Sequence, residues 1–125
     1  MGRSYHKQRT DIIKGDVYFI KVGDRYKIGA TTDLYGRIVN LQTANPQKIA
    51  LMHRVKTNNM YLTEKLFQSL FERDDKRERG EWFNLTDKDI QYIKSGNYSK
   101  SIIDSMGVWD NGSRGLQIVG ELLTA

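Results

Sequence analysis

At 125 residues the chain has material for one domain with one core, and too little for two. Hydrophobic residues make up 38% and charged residues 28%, a balance that fits an ordered globular fold and argues against disorder. Twenty Lys and Arg against fifteen Asp and Glu leave +5, which suggests a phosphate-bearing partner, while the lack of cysteine excludes disulfides, thiol nucleophiles and Cys-type zinc sites.

Residues 1–14 carry Arg3, Lys7, Arg9 and Lys14 against one acid, Asp11, and read either as a basic arm that orders on a polyanion or as a frayed terminus. This segment has no signal-peptide core, and His6 stands where a myristoylation signal needs Ser or Thr. No apolar run approaches the roughly 20 residues that cross a bilayer. A cytoplasmic protein without a membrane partner is expected. With His6 and His53 as its two histidines, the chain is poor in ligands for a His-rich metal centre.

Asp16-Val-Tyr-Phe-Ile-Lys-Val22 is rich in β-branched and aromatic residues and predicts a strand. Gly23-Asp24 suits a tight reversal, with Arg25–Ala30 as the return strand. Asp33 is a good N-cap for a helix carrying Leu34, Ile38 and Leu41, which Asn45-Pro46 terminates. Ile49, Leu51, His53 and Val55 show the two-residue period of a third strand. From Asn59, Leu62, Leu66, Phe67, Leu70 and Phe71 form the apolar arc of a second helix, reaching about Arg73. Residues 73–80 read as a charged loop, and Glu81–Leu85 as a short strand or an extended plug. Thr86 and Asp89 resemble a capping box for a third helix to about Lys94. Ser99–Ser105 suggests one more short helix, and Asp110–Gly115 a turn before Leu116–Leu123. The resulting order, β-β-α-β-α-α with an optional extra strand, predicts an α+β domain: a three-stranded antiparallel sheet flanked by helices.

Side chains alternate along a strand, so Tyr18 and Ile20 share one face and Val17 and Phe19 the other. A two-residue turn at Gly23-Asp24 sets Ile20 opposite Lys27 and Tyr18 opposite Gly29, bringing a phenol and an ammonium to one face beside a glycine. A three-residue loop would reverse that assignment. A nearby cation favours a phenolate, which makes the pair a candidate base; the same two residues also suit an ordinary half-buried strand. Arg37 borders the apolar stripe of the first helix, where a guanidinium can reach a phosphate. Glu64 lies at the rim of the second helix's arc, between Met60 and Phe67, where a carboxylate calls for a partner or a metal. Phenol, amine, guanidinium and carboxylate are the parts that hydrolyse a phosphodiester with one metal. His53 alternates with apolar residues and reads as a satisfied core histidine.

The residues just named resemble the GIY-YIG nuclease family. Val17-Tyr18-Phe19 looks like its first motif and Lys27-Ile28-Gly29 like its second, with Lys27 in the tyrosine's place, as in a branch common in phage and bacterial proteins. Arg37 matches the family's helix arginine, Glu64 its metal-binding glutamate, and Gly80-Glu-Trp-Phe83 a segment of the lysine-bearing branch; Asn84 is aligned with the late asparagine. The similarity spans residues 15–95, leaving 1–14 as a basic arm and 96–125 as a C-terminal extension packing on the domain. Ala30 and Leu41 stand where the family often has an auxiliary histidine or lysine.

What the resemblance implies is an endonuclease that cuts DNA by a one-metal mechanism with Mg²⁺ or Mn²⁺. Glu64 would hold the metal, Tyr18 act as base, Lys27 assist the base or contact phosphate, and Arg37 stabilise the transition state. No fused DNA-binding segment is visible, so sequence preference is expected to be low, or to come from a homodimer or from a specificity-giving partner. The alternatives are a catalytically inactive nucleic-acid-binding module, or a phage or bacterial accessory protein that docks a protein partner through residues 96–125.

Overall fold

The computed structural model describes residues 10–107. Strand β1 (Gly15–Val22) reverses at Gly23-Asp24 into β2 (Arg25–Thr31). Gly23 takes φ 63°, a left-handed conformation that costs glycine little, so two residues suffice for the turn. The register pairs Val22 with Arg25, Ile20 with Lys27 and Tyr18 with Gly29, as a two-residue turn requires. Helix α1 (Leu34–Thr43) starts where Asp33 accepts from the Gly36 amide at 3.0 Å and stops before Asn45-Pro46.

Strand β3 (Ile49–Thr57) pairs with the other edge of β1, but its alternation does not run through. Phe19 pairs with His53 and Ile20 with Leu51, so Met52 is an extra residue in a bulge. Ile49 therefore packs on the Tyr18 side of the sheet, whereas Val55 packs on the Phe19 side. The expected single apolar face through Ile49, Leu51, His53 and Val55 is thus split in two, and Leu51 is left 45% exposed.

Helix α2 (Met60–Arg73) is capped by Asn59, which accepts from the Leu62 amide. Its buried stripe is Met60, Thr63, Glu64, Phe67, Gln68 and Phe71, while Leu62 faces outward at 41% exposure. Glu64 consequently lies inside the stripe instead of at its rim. Three polar residues sit on this buried face because each has a partner there. Thr63 shares a hydrogen bond with Thr57 at 2.7 Å and another with Ser105 at 2.6 Å.

The charged segment after α2 is not all loop. Strands β4 (Arg77–Arg79) and β5 (Trp82–Phe83) form a hairpin through Gly80, at φ 55°, and β5 pairs with β2. The sheet therefore has five antiparallel strands in the order β3-β1-β2-β5-β4, correcting the expected three. Arg-Glu-Arg carries no strand-like hydrophobicity because β4 is a short edge strand, where charge protects the open edge. Helix α3 (Asp87–Ser95) opens on the expected capping box: Thr86 accepts from the Asp89 amide at 3.2 Å and Asp89 from the Thr86 amide at 2.8 Å. Helix α4 (Lys100–Met106) follows, capped by Ser99. The predicted turn at Asp110–Gly115, the stretch Leu116–Leu123 and most of the basic arm lie outside the described residues.

Two cores result. Val17, Phe19, Ile28 and Val55 face Phe67 and Phe71 of α2, Ile93 of α3 and Ile102 of α4. On the opposite face Tyr18, Ile20, Val22 and Ile49 pack against Leu34, Ile38 and Leu41 of α1 and against Trp82. No helix among the described residues is long and apolar enough to cross a membrane.

His53 is buried beside Phe19, and its Nε2 has no hydrogen-bond partner, so it is not the satisfied core histidine expected. Burial, helped by the Lys94 charge, pulls its pKa down to about 4. The folded protein holds this imidazole neutral, whereas the unfolded chain protonates it near 6.5. The stabilisation is fully present above about pH 6.5 and is lost as the pH falls toward 4, about 3 kcal/mol in all. His53→Leu should lack this dependence. Urea unfolding of both proteins between pH 7 and pH 4 measures it; parallel pH curves would contradict the assignment.

Candidate active site

Tyr18 points from β1 into the α1 side of the sheet and is fully buried. Its ring lies across Gly29, where an added Cβ would collide with both the hydroxyl and Cζ. Cross-strand register explains the glycine: only a residue without a side chain leaves room for the phenol. Arg37, on the exposed side of α1, turns its Nη1 back to donate to Tyr18 Oη at 3.3 Å. Since the guanidinium only donates, the phenolic oxygen accepts and its own proton is left for a third partner.

Lys27 shares the Tyr18 face, but its ammonium is engaged elsewhere. Nζ donates to Glu81 Oε1 at 2.8 Å and lies 5.5 Å from the centroid of the Trp82 ring. Register is the cause, because Lys27 pairs with Trp82 across β2 and β5. The cation hydrogen-bonded to the phenol is therefore Arg37.

Glu64 approaches from α2 and is 0% exposed. Its Oε2 accepts from Gln68 Nε2 at 3.3 Å, and the same amide donates to the Ile28 carbonyl at 2.9 Å. That carbonyl needs a side-chain donor because β5 pairs with β2 only at Tyr26 and Lys27. Gln68 thus ties Glu64 to the β2 residue next to Gly29. Asn84 is exposed just past β5; its backbone amide donates to the Lys76 carbonyl at 2.8 Å, and its side chain has no hydrogen bond among the described residues. Tyr18 and Arg37 are joined directly on the α1 face, whereas Glu64 comes from α2, which packs on the opposite face of the sheet; Lys27 and Asn84 make no hydrogen bond to the phenol.

Residues 15–96 match the family model of the T5orf172 domain. The chain belongs to the T5orf172 domain family. The match runs from the first residue of β1 to Gly96, the C-cap of α3, and so takes in all five strands and the site just described. This family is associated with nuclease-like, GIY-YIG-type proteins in phage. No curated protein and no solved structure matches the chain.

Among the described residues of this T5orf172 domain, no three His, Cys, Asp or Glu side chains gather in a metal-binding group. A closed zinc site is therefore not built from them. Mg²⁺ asks for less, taking one or two carboxylates and leaving its other positions to water and phosphate oxygens. Glu64 fits that demand by donor type, although its burial means that the carboxylate must be uncovered before it meets an ion.

Two participants escaped the sequence reading. Gln68 follows Glu64 by four residues on the same buried face, a spacing that marks it as a helix neighbour. Glu81 pairs with Lys27 across 54 residues, and no local pattern could announce that. Gly29→Ala should displace the Tyr18 ring and cost about 1–3 kcal/mol, as overpacking in a filled core does. Urea denaturation reads the loss, and an unchanged midpoint would mean that the ring moves aside freely.

Proposed function

We propose that this T5orf172 domain is a divalent-metal-dependent DNA endonuclease, one that hydrolyses phosphodiesters with a single Mg²⁺ or Mn²⁺. The observation that carries this reading is the Arg37 Nη1 to Tyr18 Oη hydrogen bond at 3.3 Å, a guanidinium and a phenol held together by two different elements. Arg37 is exposed enough to take a phosphate oxygen, and its fork suits the charge that grows on a pentavalent phosphorane. Tyr18 Oη takes the proton of the attacking water as its own proton passes on to its third partner, a water or a phosphate oxygen, with Arg37 beside it. When bound, the ion supplies Lewis acidity at the scissile phosphate and the leaving oxygen, and Glu64 is the residue that would hold it. Lys27 meets a flanking phosphate once Glu81 releases it. The finer assignment, to the lysine-bearing branch of GIY-YIG nucleases, rests on Val17-Tyr18-Phe19 and Lys27-Ile28-Gly29. Asn84, exposed and without a side-chain partner among the described residues, is left as a DNA contact at most.

A second reading, a nucleic-acid-binding module without catalysis, is favoured by one feature: the Glu64 carboxylate is wholly enclosed. Supercoiled plasmid incubated with Mg²⁺, Mn²⁺ or EDTA separates the two. Nicking is expected with either metal and not in EDTA. Glu64→Gln, which keeps the shape of the buried side chain, should abolish it. Tyr18→Phe and Arg37→Ala should each slow it by about 100-fold or more. Binding without metal-dependent cutting would leave the module reading standing and remove the enzyme.

A further inference from the structure

A cleft of about 880 Å³ lies at the turn end of the β1–β2 hairpin, and Tyr18 does not line it. Its walls come from three places: the Gly23-Asp24 turn, the α1–β3 connection with Asn45 and Gln47, and the β4–β5 hairpin with Arg79 and Trp82. Such a volume falls within the roughly 300–1,000 Å³ of sites that enclose a small organic group. We propose that this cleft binds an unpaired nucleobase of the DNA strand, a few nucleotides from the scissile phosphate. The proposal rests on the nuclease reading for its substrate and adds the place where that substrate's flanking base is held.

The lining chemistry selects the ligand class. Asp24 and Glu78 offset Arg25 and Arg79, so the charged residues of the wall sum to zero. Arg25 is further engaged by Glu78 at 3.0 Å. A phosphate or a metal ion would want a wall of one sign, which is not what is present. What remains is an indole, two side-chain amides, and the Arg79 guanidinium with the Asp24 carboxylate balancing its charge. The Asn45, Gln47 and Arg79 side chains have no hydrogen bond or ion pair among the described residues. Amides that donate and accept suit a base edge, and an indole face suits base stacking, worth about 1–3 kcal/mol per base. Arg79 can follow the backbone at the mouth.

Position supports the same occupant. Trp82 lines the cleft and also carries Lys27 over its ring at 5.5 Å, so one residue joins the cleft to the phosphate-facing side. Val22, in the cleft wall, is four residues along β1 from Tyr18, about 13 Å at the usual strand rise. That is about four steps of stacked strand. A strand crossing Tyr18 and Arg37 toward the hairpin turn therefore reaches the cleft within a short run of nucleotides.

The test uses the full chain in EDTA, so that cutting plays no part. Binding of a labelled single-stranded 12-mer is compared with the same backbone carrying abasic sites throughout. The base-bearing strand should bind about tenfold tighter, and Gln47→Ala with Arg79→Ala should erase that preference. In a Trp109→Phe background Trp82 is the sole tryptophan, and its emission should be quenched by the base-bearing strand and not by the abasic one. Equal affinities for the two strands, no binding of either, or an indifferent Trp82 signal would overturn the proposal. A protein that nicks plasmid yet ignores bases loses the cleft alone, whereas one that prefers bases yet never nicks loses the nuclease alone.

Discussion

Two residues, Gly23 and Asp24, reverse the chain between β1 and β2, and that count governs which side chains meet. One more residue in the turn would move every β1–β2 pair by one and send one strand's side chains to the other face. With the observed turn, Tyr18 falls opposite Gly29 and shares its face with Ile20 and Val22. The same face partly covers Leu34, Ile38 and Leu41, and packing those three residues sets the rotation of α1 about its axis. Arg37, between Leu34 and Ile38, is thereby held at the border of the stripe, from which a long side chain can turn back to the phenol. The Tyr18–Arg37 contact is thus a consequence of turn length and helix periodicity acting together.

On the other face the placement of Glu64 follows from hydrogen-bond satisfaction. A helix that buries Thr63, Glu64 and Gln68 can rest in only a few positions, because each polar group must find its partner there. Thr63 meets Thr57 and Ser105, and Gln68 meets the Ile28 carbonyl. Sliding α2 by one turn would leave these groups buried and unpaired, at about 1–3 kcal/mol each. The brevity of β5 matters here as well. Had it run on to cover Ile28, Gln68 would have no carbonyl to hold, and the link from Glu64 to the central strands would be gone.

Much of this frame was legible from residue types alone. The hairpin, α1 with its Asp33 cap and the Thr86–Asp89 capping box follow from local chemistry, acting within four residues. Tyr18 and Gly29 could be paired because the turn is short enough to count across. The failures arise in contacts between strands and across the fold, which the composition of either segment alone does not announce. The Met52 bulge arises where β3 meets β1, so alternation within β3 could not reveal that Ile49 and Val55 serve different cores. Arg77–Arg79 forms a strand only because β5 offers it an edge, and nothing in its own composition favours one. For the site, residue types marked Tyr18, Lys27, Arg37 and Glu64, but the exchange of Lys27 for Arg37 at the phenol depends on the distant Glu81.

That exchange gives the cations on the Tyr18 side of the sheet different standing toward a phosphate. Arg54 is held by Asp16 at 2.9 Å and Lys27 by Glu81 at 2.8 Å, each already neutralised by an internal acid. The hydrogen-bond partner of Arg37 among the described residues is an uncharged hydroxyl. On the proposed reading, an incoming phosphate meets no competing carboxylate at Arg37 and binds there first. Lys27 comes second, since its pair with Glu81 has to be broken. Partly exposed ion pairs are worth about 0–1 kcal/mol, so that exchange is well within the reach of one phosphate contact. Among the described residues, a guanidinium without a carboxylate partner thus stands beside the phenol, where in the proposed function an anionic backbone would gain most.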